Sequence, residues 1–376
     1  MRRIGFVVIL LVSLSAPAWA SFQDGLAAYE RGDYATALRE WKPLAEAGIP
    51  EAQYNLGFMY ELGQGVTQSY AEAVRWYRKA AEQGYAAAQN NLGIMYELGQ
   101  GVPQDYAETV KWTRKAAEQG DAEAQFNLGL MHANGRGVPQ DYAEAVRWYR
   151  KAAEQGQANA QYNLGFMYAH GQGVTQSYAE AVRWYRKAAE QGQGDAQHNL
   201  GLRYANGQGV PQDYAEADKW YRKAAEQGYA TSQYNLGLMY ELGEGVPQDY
   251  AEAVRWYRKA AEQGYAEAQN NLGLMYDMAQ GVPQNYAEAV KWYRKAAEQG
   301  NDIGQYNLGF MYANGQGVPQ DYVQAHMWFN LAASRSEPGS DRDMAVKNRD
   351  IIAAKMTPAQ IAEAQRLARE WKPNKE

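Results

Sequence analysis

Apolar and polar positions repeat along this chain in paired helical patterns. In residues 121–156, taken as the type unit, Ala124, Leu128, Met131 and His132 fall on one side of a helical wheel. Phe126, Leu130, Ala133 and Asn134 fall on the other. The spacing predicts a first helix with one packed face and a second, distinct face. Gly135 and Gly137 end it, because glycine accepts the left-handed conformation at a helix C-terminus, and Pro139 follows. Asp141 then caps a second helix, with Glu144 three residues on and positioned to complete a capping box. Ala145, Trp148, Tyr149, Ala152 and Ala153 form an i, i+3, i+4, i+7, i+8 stripe. Small residues set against large aromatics predict close helix contacts.

The unit recurs. Trp76, Trp112, Trp148, Trp184, Trp220, Trp256, Trp292 and Trp328 are each 36 residues apart, and Asn55, Asn91, Asn127, Asn163, Asn199, Asn235, Asn271 and Asn307 keep the same step. A fixed period of this size belongs to arrays in which each unit buries its apolar face by stacking on its neighbours. The expected fold is therefore all-α, an α/α superhelical solenoid of 36-residue helix-turn-helix repeats. Eight repeats are expected over 51–334, a degenerate capping repeat over 21–50, and capping helices over 335–376. The last includes a helix from Pro358 to about Trp371, capped by Thr357 with Gln360 three residues on.

The first twenty residues follow another rule. Arg2 and Arg3 precede the apolar run Ile4 to Val12, and Ala18-Trp19-Ala20 places small residues where a signal peptidase reads. Residues 1–20 are expected to be a secretory signal, cleaved near Ala20 to give a periplasmic or secreted protein. The run is too short for a stable bilayer-spanning helix, and no other stretch is a membrane candidate. Losing two arginines takes the formal charge from −6 to −8. An acidic chain lacks the basic footprint that nucleic acid requires. It contains no cysteine, so stacking and aromatic packing must supply the stability that disulfides give many exported proteins.

Ala124-Gln125-Phe126-Asn127-Leu128-Gly129, the loop Gly135-x-Gly137-Val138-Pro139-Gln140-Asp141-Tyr142 and Ala145-x-x-Trp148-Tyr149-x-x-Ala152-Ala153 together resemble the Sel-one-like repeat, a longer-looped relative of the tetratricopeptide repeat. The resemblance covers about residues 23–334. It implies an adaptor, in bacteria often exported and involved in host interaction, envelope regulation or exopolysaccharide assembly. Some exported relatives with a cysteine pair in every repeat have been associated with penicillin binding or β-lactamase activity. This chain lacks those cysteines, a departure from the pattern of that branch.

The search for chemistry points the same way. No S-x-x-K, G-x-S-x-G, H-E-x-x-H or phosphate-loop pattern occurs, so neither catalytic residues nor a cofactor are expected. Gly63-Gln64-Gly65-Val66 reads as a turn, since it recurs between helices in every unit, with Ala279 replacing the first glycine once. His132 replaces a core tyrosine and is expected to be packed; His326 is expected at the surface or under a cap. The runs around Arg147-Trp148-Tyr149-Arg150-Lys151 read as a solvated salt-bridge ladder with Glu144 and Glu154.

A partner is expected where the units differ. Differences concentrate at Tyr54, Asn90, Phe126, Tyr162, His198, Tyr234, Asn270 and Tyr306 and at the positions seven and eight residues later, which share one face of the first helices. The outer units carry Glu61, Glu97, Glu241 and Asp277 with Leu62, Leu98, Leu242 and Met278; the middle carries Ala133, Ala169 and Ala205 with Asn134, His170 and Asn206. This face is expected to line a concave groove that receives a protein or peptide, with Asn127, Asn163 and Asn199 bordering it to hold an extended backbone. Arg203, alone at a methionine position, is expected to reach water or a partner. Rival readings are a cell-wall or β-lactam hydrolase and a glycan binder whose tyrosines stack on sugar faces.

Overall fold

The computed structural model describes residues 16–337 and 339–374. Most of the predicted leader, residues 1–15, lies outside them, as does Pro338; Ala16–Ala20 open the first helix. Twenty α-helices and no strand occur among the described residues, and they fall into two compact units divided after Ser177.

The first unit contains α1 (Ala16–Glu30), α2 (Tyr34–Glu46), α3 (Pro50–Leu62), α4 (Tyr70–Glu82), α5 (Ala86–Leu98), α6 (Tyr106–Glu118), α7 (Ala122–Asn134), α8 (Tyr142–Glu154) and α9 (Ala158–His170). The second contains α10 (Tyr178–Glu190), α11 (Gly194–Asn206), α12 (Tyr214–Glu226), α13 (Ala230–Leu242), α14 (Tyr250–Glu262), α15 (Ala266–Asp277), α16 (Tyr286–Gln299), α17 (Asp302–Asn314), α18 (Tyr322–Arg335), α19 (Ser340–Ala353) and α20 (Pro358–Glu370). Within each unit the helices pack on their neighbours in chain order, as in an α/α solenoid of paired helices, except at the C-terminal end, where α19 and α20 both pack on α18.

The apolar pattern explains the stacking. Ala124, Leu128, Met131 and His132 of α7 are buried, as are Ala145, Trp148, Tyr149, Ala152 and Ala153 of α8. One core cluster joins Val110 of α6, Leu128 of α7 and Trp148 of α8, so a repeat is completed by the one before it. In the second unit Val254, Leu272 and Trp292 make the corresponding cluster.

Two glycines of the type repeat show what the geometry demands. Gly135 caps α7 with φ +67°, its N–H bonded to Met131 O. Gly129 sits in mid-helix, where a Cβ would lie 2.6 Å from Cδ1 of Tyr149. The missing side chain lets that ring pack against the backbone of α7.

Asp141 caps α8 by accepting from the N–H groups of Ala143 (2.9 Å) and Glu144 (3.0 Å). Glu144 is turned the other way, to Arg147 at 3.0 Å, so the expected capping box is half formed there. At Thr357 and Gln360 both halves are present.

At the N-terminal end Phe22 and Trp41 are buried together, the indole N–H donating to Phe22 O at 3.1 Å, over a cluster that includes Leu56 and Met59. At the other end Trp371 meets Trp328 edge-on with centroids 6.1 Å apart, and Ile352 packs on Phe329. His326 is buried beneath the cap, the second of its two expected placements: α18 lies under α19, whose Arg349 and Asp350 come close to the imidazole. Burial holds its pKa below the usual value.

Candidate partner-binding face

The second helices present a closed, repeating surface. Arg75, Lys111 and Arg147 in the first unit pair with Glu72, Glu108 and Glu144 one turn away, and Lys219, Arg255 and Lys291 repeat this in the second. The next cation lies on the indole: Lys151 Nζ is 4.2 Å from the Trp148 ring centroid and Lys259 Nζ 4.1 Å from that of Trp256. The basic-aromatic runs are thus satisfied by their own neighbours through single ion pairs and cation–π stacks, with Arg150 donating to the Tyr168 hydroxyl; Glu154, expected to extend a ladder, joins none of these ion pairs. The depressions on this surface, about 400 Å³ beside Lys291, Arg294 and Lys295 and about 340 Å³ beside Arg75, Arg78 and Lys79, are shallow and open.

The first helices differ from repeat to repeat, and the structure sorts their residues by what holds them. In the first unit Phe126 is half-buried, its ring 6.0 Å from that of Tyr149. Asn127 donates to Asn90 Oδ1 at 3.1 Å, and Asn163 bonds the Tyr149 hydroxyl, so these two amides tie neighbouring repeats together. Tyr162 is half-buried, whereas Asn134 and His170 are exposed. The His170 ring lies 4.0 Å from Phe166, with Nδ1 2.9 Å from the Phe166 carbonyl oxygen.

In the second unit Nδ1 of His198 lies 2.9 Å from Ser232 Oγ, and its ring is 5.6 Å from Tyr221. Burial lowers its pKa. Asn199 donates to Asp195 O at 2.9 Å, and Asn206 is exposed. Arg203 departs from expectation. It is buried, its guanidinium bonded to Gln208 and 5.0 Å above the Tyr178 ring, so it reaches a joint inside the stack rather than the open face. The methionine position it occupies points inward, and a long side chain there finds an aromatic ring and an amide before it finds water.

The acidic positions carry a contact that sequence reasoning missed. Glu61 accepts from the Tyr77 hydroxyl at 2.6 Å, Glu241 accepts from Tyr257, and Asp277 accepts from Tyr293 at 3.2 Å. The signal was a carboxylate sixteen residues before a tyrosine. Burial, with Glu61 close by, pushes the Tyr54 hydroxyl up to about 12. Beside these carboxylates Leu62, Leu98, Leu242 and Met278 are exposed by 45%, 53%, 59% and 60%, large for aliphatic side chains. Among the described residues no group of three or more His, Cys, Asp or Glu is placed to hold a metal, and no helix is long and apolar enough to cross a membrane.

Known proteins share this fold. A protective antigen present in uropathogenic Escherichia coli strains, c5321, whose structure displays an SLR fold, is 34% identical, with a TM-score of 0.67 over 94% of this chain and 91% of its own. A Sel1 repeat protein from Oxalobacter formigenes is 33% identical, with a TM-score of 0.63 over 91% of this chain and 96% of its own. No curated protein matches the sequence significantly. The Sel1 repeat profile matches eight times, at residues 50–85, 86–121, 122–157, 158–193, 194–229, 230–265, 266–301 and 303–336. Sel1 repeats generally mediate protein interactions, and proteins built from them are typically non-catalytic scaffolds. With its repeats matched over most of its length, this chain belongs to the Sel1 repeat family.

Proposed function

We propose that this protein is an exported, non-catalytic scaffold that binds a protein or peptide along its first-helix face, in host interaction or envelope regulation. The observation that carries the reading is the division of the surface. Second helices are nearly identical and spend their charges on one another, whereas first helices present exposed residues that change from repeat to repeat, among them Asn134, His170, Asn206 and Leu242. The second helices have their charges taken up by one another, which leaves the exposed first-helix residues as the groups available to a partner. Export rests on Arg2, Arg3, the apolar run and Ala18-Trp19-Ala20, and the absence of a catalytic constellation supports a binding role. The similarity to an E. coli antigen described as protective agrees with an exported location.

The test uses photo-crosslinking residues placed at His170 and at Arg147 of the full chain, incubated with envelope and host extracts and read by mass spectrometry. A protein crosslinked from His170 and not from Arg147 is the expected result. Crosslinks only from Arg147 would move the site to the second helices, and capture of polysaccharide with no protein would establish the glycan reading.

A further inference from the structure

We propose that each compact unit carries its own copy of one docking site, and that each copy takes a protein segment presenting a lysine or arginine beside an aliphatic side chain. The proposal rests on the first-helix face being the interaction face.

The two copies are related by 180 residues, five repeats. Tyr54, Glu61 and Leu62 of α3 recur as Tyr234, Glu241 and Leu242 of α13; Asn90, Glu97 and Leu98 of α5 recur as Asn270, Asp277 and Met278 of α15. Their geometry recurs too. The Tyr54 ring lies 5.7 Å from Tyr77 and 5.4 Å from Tyr85; Tyr234 lies 5.8 Å from Tyr257 and 5.2 Å from Tyr265. Tyr77 donates to Glu61 as Tyr257 does to Glu241. Asn127 donates to Asn90 at 3.1 Å, and Asn307 to Asn270 at 2.9 Å.

Stacking does not require a five-repeat pattern, because the contacts that hold the array recur every 36 residues. Ala133 and Ala205 occupy the acidic position elsewhere without disturbing the helix pairs. The two stretches differ both in the core, where the fully buried Tyr293 corresponds to Thr113, and at the surface, yet the acidic and aliphatic positions of the face keep their character, Glu97 becoming Asp277 and Leu98 becoming Met278.

The chemistry of the face sets the occupant. Each copy exposes two aliphatic side chains on successive first helices beside a part-exposed carboxylate, Glu97 in the first unit and Glu241, bonded by the Tyr257 hydroxyl, in the second; Glu61 is buried against the Tyr77 hydroxyl. A partner must cover the aliphatic pair and meet the negative charge, which an apolar residue beside a cation does. The copies differ in strength of field. In the first unit Arg136 offsets Glu97 at 3.4 Å; in the second the corresponding residue is Gln316, and Glu244 replaces Gln64. The second-unit copy therefore binds the cationic segment more tightly.

The probe is a synthetic twelve-residue peptide of four Gly-Lys-Leu units, titrated calorimetrically into the full chain, with Gly-Glu-Leu as control. Two peptides per chain are expected, weakening as salt rises, with the glutamate peptide unbound. Leu62→Ser with Leu98→Ser should leave one tight site, Leu242→Ser with Met278→Ser one weaker site, and the quadruple variant none. All four side chains are exposed, so helicity by circular dichroism should be unchanged. A single site, or binding that survives the quadruple variant, overturns the duplication while leaving the scaffold reading intact. Equal binding of the glutamate peptide overturns the charge argument. If the wild-type chain alone self-associates and the quadruple variant does not, the occupant is a second copy and the proposal is wrong. No peptide bound, together with no protein crosslinked from His170, defeats both readings.

Discussion

Gln155 donates its side-chain amide to Oε1 of Gln125 at 2.8 Å, across thirty residues of chain. Gln125 in turn donates to Ala117 O at 3.1 Å, a carbonyl in the last turn of the preceding helix that also accepts from the Gly120 N–H. The same relay joins Gln119 to Gln89 and on to Ala81, and Gln263 to Gln233 and on to Ala225. Each repeat thus finishes a helix of the one before it with a buried amide.

Replacing Gln125 by alanine removes a buried bond to Ala117 O, which keeps the Gly120 N–H at 3.1 Å, and takes the acceptor from the exposed Gln155 amide. A loss of about 0.5–1.5 kcal/mol is expected, as for a typical intramolecular hydrogen bond. Gln155 is exposed, and water can replace its bond, so Gln155→Ala should cost less than about 1 kcal/mol. Urea midpoints of the two variants, measured side by side, check the order.

Gly129→Ala tests the close approach of helix and ring. The new Cβ would meet Tyr149 Cδ1 at 2.6 Å and Cε1 at 2.7 Å, and Tyr149 is fully buried. Overpacking of this kind costs about 1–3 kcal/mol. Adding Tyr149→Ala removes the obstacle, so the double variant should lose less than the sum of the two single losses.

Ala279 is a non-glycine residue with φ +58°, at a position glycine holds in the other repeats. The left-handed conformation strains it by roughly 1–2 kcal/mol, against about 1 kcal/mol for the greater entropy glycine loses on folding. Ala279→Gly is expected to stabilise the second unit by up to about 1 kcal/mol, seen as a higher urea midpoint.

The helix pairs, their caps and the packed stripe were legible because they depend on residues close in sequence. Contacts between repeats were not. Nothing local distinguishes the buried Gln125 from the exposed Gln155, or shows that Asn127 is bonded to Asn90. The candidate face was legible as a set of varying positions, and its exposed members include Asn134, His170 and Asn206. Arg203 was misplaced because a charge at an apolar position suggests solvent, whereas Tyr178 and Gln208 meet it inside.

His132 offers a pH test. Burial, reinforced by Arg114, lowers its pKa below the ordinary 6.5, with Glu144 and Asp141 opposing. The unfolded chain therefore takes up a proton before the folded one does. This contribution to stability is fully present above the unfolded pKa and is lost as pH falls through the window between 6.5 and the lower folded value. Other repeats place tyrosine here, and its hydroxyl receives an arginine: Arg78 to Tyr96 at 2.6 Å, Arg150 to Tyr168 at 2.8 Å. His132→Tyr should give Arg114 the same acceptor and flatten the decline in stability below neutral pH, as read by thermal melts from pH 5 to 8.

Arg203→Met restores the residue found at this point in Met131, Met239 and Met275. The native guanidinium is buried with a neutral amide and a ring for company, and its Nε finds no partner. No opposite charge bonds it, so its desolvation is only partly offset. The methionine side chain fills similar space without a charge, and the Met239 position shows that the joint accepts it fully buried. The variant should be about as stable as the parent or more so, by up to about 2 kcal/mol. Arg203→Ala, which removes the packing as well, should destabilise. A denaturation series on both separates packing from charge: if Met proves as damaging as Ala, the cation–π contact with Tyr178 holds the joint, and the arginine is part of the second unit's structure in its own right.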